Sequence, residues 1–234
     1  LMHTIHDPWG NGKNAIGLFG SDLRGVEAAA RKFCGGLRGR KELKVGRLFD
    51  LKLGPDGMRV PGVTDEPEME AEKAAAEEAL LRGTHTGLWS RIGQRGLLYG
   101  LTGKDIYAEM YRWLVYRMYE HAMSDPDNYG GIWGFDADFA LQYVMPGWDL
   151  VEESPVITDR DRLRITRILF EFISDCVSHV GNVSRRQVRH NHSTYAALGL
   201  LYAGTYYSKY YDACEADDWL KLSRRCLSVQ AEAY

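Results

Sequence analysis

Apolar and polar positions follow two regimes along the chain. Before about residue 62 the apolar residues come in short clusters broken by turn formers, and after it they recur with helical spacing. The first regime predicts a small α/β segment over residues 1–62. His3 to Gly12 reads as turn-rich around Asp7-Pro8 and Asn11-Gly12. Asn14 to Phe19 reads as a short buried strand, and Leu23 to Phe33 as a helix capped by Ser21 or Asp22 and ended by Cys34-Gly35-Gly36. One or two more short strands are expected between Lys41 and Val60.

Residues 63–234 read as helix after helix. Glu66 to Leu81 is acidic and alanine-rich, the pattern of a solvated helix. Leu88 to Leu101 carries glycines at 93, 96 and 100, which weaken it as a helix. Asp105 to Ala122 has a stripe of Tyr107, Tyr111, Leu114 and Met118 at helical spacing. A helix from Ile132 to Val144 is expected to close at Pro146-Gly147. Thr158 caps an amphipathic helix from Asp159 to Val180. Its apolar face runs from Ile165 through Phe172, Cys176 and Val180, and Arg160, Arg164, Arg167, Glu171 and Asp175 form its polar face. A last helix starts near Glu215. Amphipathic and buried helices in alternation, joined by short loops, argue for stacked antiparallel hairpins.

One helix differs from the others. Arg189-His190-Asn191-His192-Ser193-Thr194-Tyr195 leads into Ala196-Ala197-Leu198-Gly199-Leu200-Leu201-Tyr202-Ala203-Gly204, with no charge before Lys209. This run is too short to span a bilayer, which needs about 20 apolar residues. It predicts a helix buried on nearly every side with hydrogen-bonding groups at its tip, the arrangement that puts a few polar side chains on the floor of a pocket.

Composition narrows the partners. With 29 Lys and Arg against 32 Asp and Glu, the formal charge of −3 gives no whole-chain case for nucleic acid or a membrane surface. Arg185, Arg186, Arg189 and His190 still form a local basic cluster that suits an acidic ligand. The four cysteines show neither CxxC pairing nor zinc-like spacing. His3, His6, His85 and His121 make no metal cluster by spacing, so no metal or other cofactor is expected. Gly20-Ser21-Asp22-Leu23-Arg24-Gly25 can cradle an anion at a helix start, but it lacks P-loop spacing and reads better as a tight connection. No signal peptide is visible. The chain opens on Leu1-Met2-His3 and closes on Glu232-Ala233-Tyr234 in helical pattern, so a larger parent protein is expected.

Three stretches together resemble the (α/α) toroid of polysaccharide lyases in the heparinase II/III and alginate lyase group. Leu97 to Ala108, with Thr102-Gly103-Lys104-Asp105 before Ile106-Tyr107-Ala108, resembles the linker between toroid hairpins. Gly147-Trp148-Asp149-Leu150 followed by Ser154-Pro155 and Thr158 resembles the approach to a long outer helix. Asn191-His192, with Gly199 and Gly204 behind it, resembles the Asn-His start of a buried helix in that group. The resemblance implies a partial toroid and β-elimination at a uronic acid residue of an acidic polysaccharide, in a secreted or periplasmic protein. It assigns Asn191 and His192 to neutralising the uronate carboxylate, with His192 also a candidate base. Around them Arg189, His190, Tyr195, Trp133 and Trp148 are expected to bind substrate, the aromatics by stacking on sugar faces. The group also uses a tyrosine and a second histidine further along the chain, so an additional domain or chain is expected to complete the toroid.

Other functions fit the same residues. Asn191 and His192 can serve only as a helix cap, and Trp133, Trp148 and Tyr195 can be core. A toroid glycoside hydrolase would need two carboxyl groups; Asp136 and Asp138 lie near Trp133, but two residues apart on a helix they point to different sides. A non-catalytic carbohydrate-binding fragment is the third possibility. The Asn-x-Ser matches at Asn182 and Asn191 are read as chance.

Overall fold

Helices dominate the computed structural model, which describes residues 1–39, 44–52, 68–83, 85–124, 137–181 and 191–231. The described elements are β1 (Met2–Ile5), β2 (Ala15–Leu18), α1 (Leu23–Leu37), β3 (Phe49–Asp50), α2 (Met69–Leu81), α3 (His85–Thr102), α4 (Asp105–Ser124), α5 (Ala137–Val151), α6 (Asp159–Gly181), α7 (Asn191–Tyr210) and α8 (Ala216–Ala231). A mostly helical protein with a small strand-containing start is therefore what the sequence pattern indicated.

The three strands form an antiparallel sheet in the order β2-β1-β3, with Met2 opposite both Leu18 and Asp50. β1 falls where turns were expected. The turn proper begins at Asp7, whose carboxylate accepts the backbone N–H groups of Asn11 (2.7 Å) and Gly12 (2.9 Å). Asp22 caps α1 by accepting the Gly25 N–H at 2.7 Å. Its own carboxylate thus occupies the helix start that was considered for an external anion. A side chain at Gly20 would run into the backbone of Val26 at 2.3 Å, so this stretch is a tight connection. α1 continues through Gly35-Gly36 to Leu37 instead of ending there.

Two charge clusters clamp the segments together. Glu72 on α2 is buried and holds the Arg95 guanidinium in a fork of 3.0 and 2.7 Å, with Arg91 at 3.3 Å. α2 is therefore not solvated all round: Glu72, Ala76 and Leu80 form a packed face. At the end of α5, Arg162 bridges Glu152 and Glu153 at 3.0 Å each. Tyr206 and Tyr211 both donate to the Glu152 carboxylate. Arg47 reaches in from the strand segment to the Ile157 carbonyl (2.8 Å) and to Asp159. Phe49 of β3 packs on Tyr99 at 4.8 Å, so the first segment is seated on the helices by both charge and ring contact.

The helices pack largely in sequence, α3 on α4 and α5, α5 on α6 and α7, and α7 on α8. Thr158 and Asp161 cap α6 reciprocally, each side chain accepting the other's backbone N–H at 3.1 Å. Its expected apolar face is buried, but Asp175, expected on the polar face, is buried too. α5 does not close at Pro146; it runs on to Val151, with Trp148 and Val151 fully buried beyond the proline. Nor do the glycines of α3 weaken it. A Cβ on Gly96 would lie 2.3 Å from Cα of Gly147, and one on Gly93 would lie 2.6 Å from the Tyr143 carbonyl oxygen. These glycines are the contact surface on which α5 crosses α3. Gly199 of α7 is likewise pressed against Leu141 of α5, at 2.9 Å for an added Cβ. α7 is buried along one side only, with Tyr202 and Thr205 exposed on the other.

Gly96→Ala is expected to lower the urea midpoint, because the backbone clash outweighs the roughly 1 kcal/mol that alanine gains in an exposed helix. Gly87→Ala, where an added Cβ meets nothing within 4 Å, should leave the midpoint unchanged or raise it. Equal shifts in both variants would contradict the close crossing.

Candidate functional site

Two helix starts and one helix end meet at the candidate site. Asn191 and His192 are the first two residues of α7. Asp138 is in the first turn of α5, and His179 is in the last turn of α6, four residues after Asp175. The placement suits two of the three helix dipoles: the Asp138 carboxylate sits at the N-terminus of α5 and the His179 imidazole at the C-terminus of α6, whereas the His192 imidazole sits at the N-terminus of α7.

His192 is held firmly. Its Nδ1 lies 2.5 Å from Oδ2 of Asp138, a buried carboxylate. Phe139, the next residue of α5, stands edge-on to the His192 ring at 4.4 Å and tilts against Tyr195 at 4.6 Å. The ring is thus fixed in position by a carboxylate and in orientation by an aromatic edge. Nδ1 is the ring nitrogen that Asp138 engages. Asn191 beside it is exposed, and His192 and Tyr195 are half-buried. This contact is more than a helix cap requires: His192 reaches across to another helix.

Asp138 also faces Asp175. The latter is 1% exposed, and its Oδ1 accepts no hydrogen bond among the described residues. Burial, with the Asp138 carboxylate close by, pushes the Asp175 carboxyl up to about 7. Nε2 of His179 lies 3.5 Å from that same Oδ1. The neighbouring Cys176 thiol is fully buried and is pushed up by desolvation and by both carboxylates, which makes it an inert core group.

The expected site residues separate into three groups. His192 and Tyr195 are brought together around Phe139, with Asp138 on His192, and Asn191 is the exposed residue just before His192 in α7. Trp148 is 0% exposed and stacks on Tyr111 at 6.2 Å, so it has no face for a sugar and is corrected to a core residue. Arg189, His190 and Trp133 lie outside the described residues, as does Asp136. Sequence reasoning missed the role of Asp138 as the partner of His192, and it missed Asp175 and His179 altogether. The i,i+4 spacing of Asp175 and His179 was a visible signal, since such residues share a helix face. It was lost because Asp175 continues a face of Arg160, Arg164, Arg167 and Glu171 that reads as surface. No protein-family model, curated protein or solved structure matches the chain.

Asp138→Ala should remove the anchor of His192. The expected outcome is loss of a downfield Nδ1 proton from the NMR spectrum, with a stability cost of about 1–3 kcal/mol for the orphaned ring nitrogen. An unchanged imidazole resonance would show that the pair does not form.

Proposed function

We propose that this chain carries the carboxylate-binding part of a polysaccharide lyase that cleaves uronate-containing polymers by β-elimination, on helices belonging to a partial (α/α) toroid. The observation that supports it is His192, anchored through Nδ1 by buried Asp138, next to exposed Asn191 at the head of α7. The rest of the support is the resemblance of the Asn-His helix start and of the hairpin linkers around Gly103 and Gly147.

In this reaction the proton on the carbon alpha to the uronate carboxylate is removed. The electron pair left behind forms a carbon–carbon double bond as the glycosidic C–O bond to the adjacent carbon breaks. The leaving oxygen takes a proton. Negative charge accumulates on the carboxylate before the bond breaks, so the chief demand is for hydrogen-bond donors aimed at it. The Asn191 amide and the His192 ring are such donors, and His192 is also a candidate proton acceptor through Nε2. Asp138 keeps the ring in one tautomer and supplies a counter-charge when it holds a second proton, the part played by the orienting acid in other His-centred sites. Tyr195 stands at the edge of the same cluster, where it can line the substrate path. The tyrosine and second histidine of the lyase group are not among the residues gathered here.

Hydrolysis by a carboxyl pair is less well supported. Asp138 and Asp175 lie within 4.8 Å, near the roughly 5 Å separation of a retaining pair. Both are buried, at 3% and 1% exposure, and Asp138 is already engaged by His192, so a glycosidic bond does not reach between them.

The test is to incubate the protein with alginate, glucuronan and heparin-like polymers and follow the ultraviolet absorbance of the unsaturated uronate product. Asn191→Ala and His192→Ala are each expected to lower elimination by at least 10²-fold, the usual cost of one charge-stabilising donor. The melting temperature should be nearly unchanged in Asn191→Ala and lower in His192→Ala, which leaves buried Asp138 without this partner. Turnover at the wild-type rate in both variants would remove the assignment. Reducing ends without the absorbance would favour hydrolysis, and retained binding without cleavage a carbohydrate-binding module.

A further inference from the structure

α5 and α6 bring three ligand-type groups to one point beside the His192 pair. A carboxylate oxygen each from Asp138 and Asp175, and a ring nitrogen of His179, all lie within 4.8 Å of one another. Asp175 and His179 are i,i+4 neighbours, so both project from one face of α6. Asp175 is the decisive member. Its side chain is 1% exposed, its Oδ1 accepts no hydrogen bond among the described residues, and that atom faces Nε2 of His179 at 3.5 Å. Two carboxylates in a buried site repel each other, and a cation placed between them turns that repulsion into attraction on both sides.

We propose that Asp138, Asp175 and His179 bind a divalent transition-metal ion of the zinc class. Two carboxylates and an imidazole make a mixed oxygen and nitrogen set that suits such an ion and leaves a fourth position for water. Calcium wants six to eight oxygen ligands, and magnesium keeps most of its water, so neither fits a two-carboxylate site with a ring nitrogen. Ligand atoms around a tetrahedral zinc ion at about 2.0–2.2 Å stand roughly 3.3–3.6 Å apart, so the cluster has to tighten by about 1 Å. His179, with a side chain 44% exposed, is the member placed to move inward, whereas the carboxylates are fixed in the core. His192, already on Asp138 through Nδ1, becomes the outer partner that orients a ligating carboxylate. The site ties the start of α5 to the end of α6, and this inference does not rest on the lyase reading.

The experiment is a zinc titration of tag-free protein that has been dialysed against a chelator, followed by calorimetry and by thermal melting. Mn²⁺ and Ca²⁺ serve as comparison ions. One equivalent of zinc is expected on the wild type beyond that on Asp175→Asn or His179→Ala, with a rise of several degrees in melting temperature that both variants lack. His192→Ala should retain the equivalent at roughly 10–100-fold weaker affinity, the usual cost of removing an outer partner. Metal-free Asp175→Asn should melt at or above the metal-free wild type, since it loses a buried charge; this separates loss of binding from loss of folding. No zinc uptake by the wild type would overturn the proposal. So would uptake of equal stoichiometry in Asp175→Asn and His179→Ala, which would instead point to the exposed thiols of Cys34 and Cys214. Calcium matching zinc in affinity would overturn the assignment of ion class.

Discussion

The close crossing of α3 and α5 is the constraint on which the remaining geometry depends. A helix pair with ordinary side chains at the contact keeps its axes about 8–10 Å apart. Here Gly93 and Gly96 face the Tyr143 carbonyl and Gly147, so backbone meets backbone. α5 is drawn into the middle of the helices, where it touches α3 on one side and α6 and α7 on the other. Its fully buried residues, Leu141, Val144, Trp148 and Val151 among them, reflect that central position. The start of such a helix is itself partly enclosed. Asp138 is therefore a buried carboxylate, and a buried carboxylate needs a partner. His192 on α7 meets that need, and Asp175 on α6 adds to it.

The other end of α5 solves the same problem differently. Glu152 and Glu153 are as buried as Asp138, but Arg162 lies between them, and two tyrosine hydroxyls complete the shell of Glu152. Removing one member of such a cluster leaves an uncompensated charge, so the cluster fixes the packing of α5, α6 and α7 at that end more than it adds net stability. Arg47 extends it to the strand segment. One end of α5 is thus saturated with charge partners and structural. At the opposite end, two carboxylates face each other with imidazoles as the nearby bases, and no arginine among the described residues bridges them. That asymmetry leaves the Asp138 end of α5 as the one where buried carboxylates meet imidazoles and not arginine among the described residues.

Periodicity made most of the helices legible. α4, α6 and α8 begin where the apolar spacing or the cap predicted, because in these helices propensity, capping and pattern agree. The errors share a cause. Glycines in α3 and Pro146 in α5 read as breakers from local propensity, yet both helices persist because their neighbours need that surface or that length. Strand β1 was hidden by the turn formers just after it. For the site, Asn191, His192 and Tyr195 were readable from the change in character at the head of α7. Asp138 was read beside Asp136, because the nearest carboxylate in sequence is easier to see than an imidazole 54 residues away. Trp148 was misplaced because an aromatic residue near a turn looks the same whether it faces a sugar or the core.

Asp138 stands in both assignments, and this links them. A carboxylate that binds a metal ion through one oxygen and the His192 Nδ1–H through the other is a weaker counter-charge for the ring than one that serves the ring alone. The cation withdraws electron density from the acid, and a second positive charge then sits near the imidazole. A donor at Nε2 suits neutralisation of a uronate carboxylate, and an acceptor suits removal of a proton. The proposed ion and the proposed role of His192 are therefore coupled through a single shared side chain, Asp138.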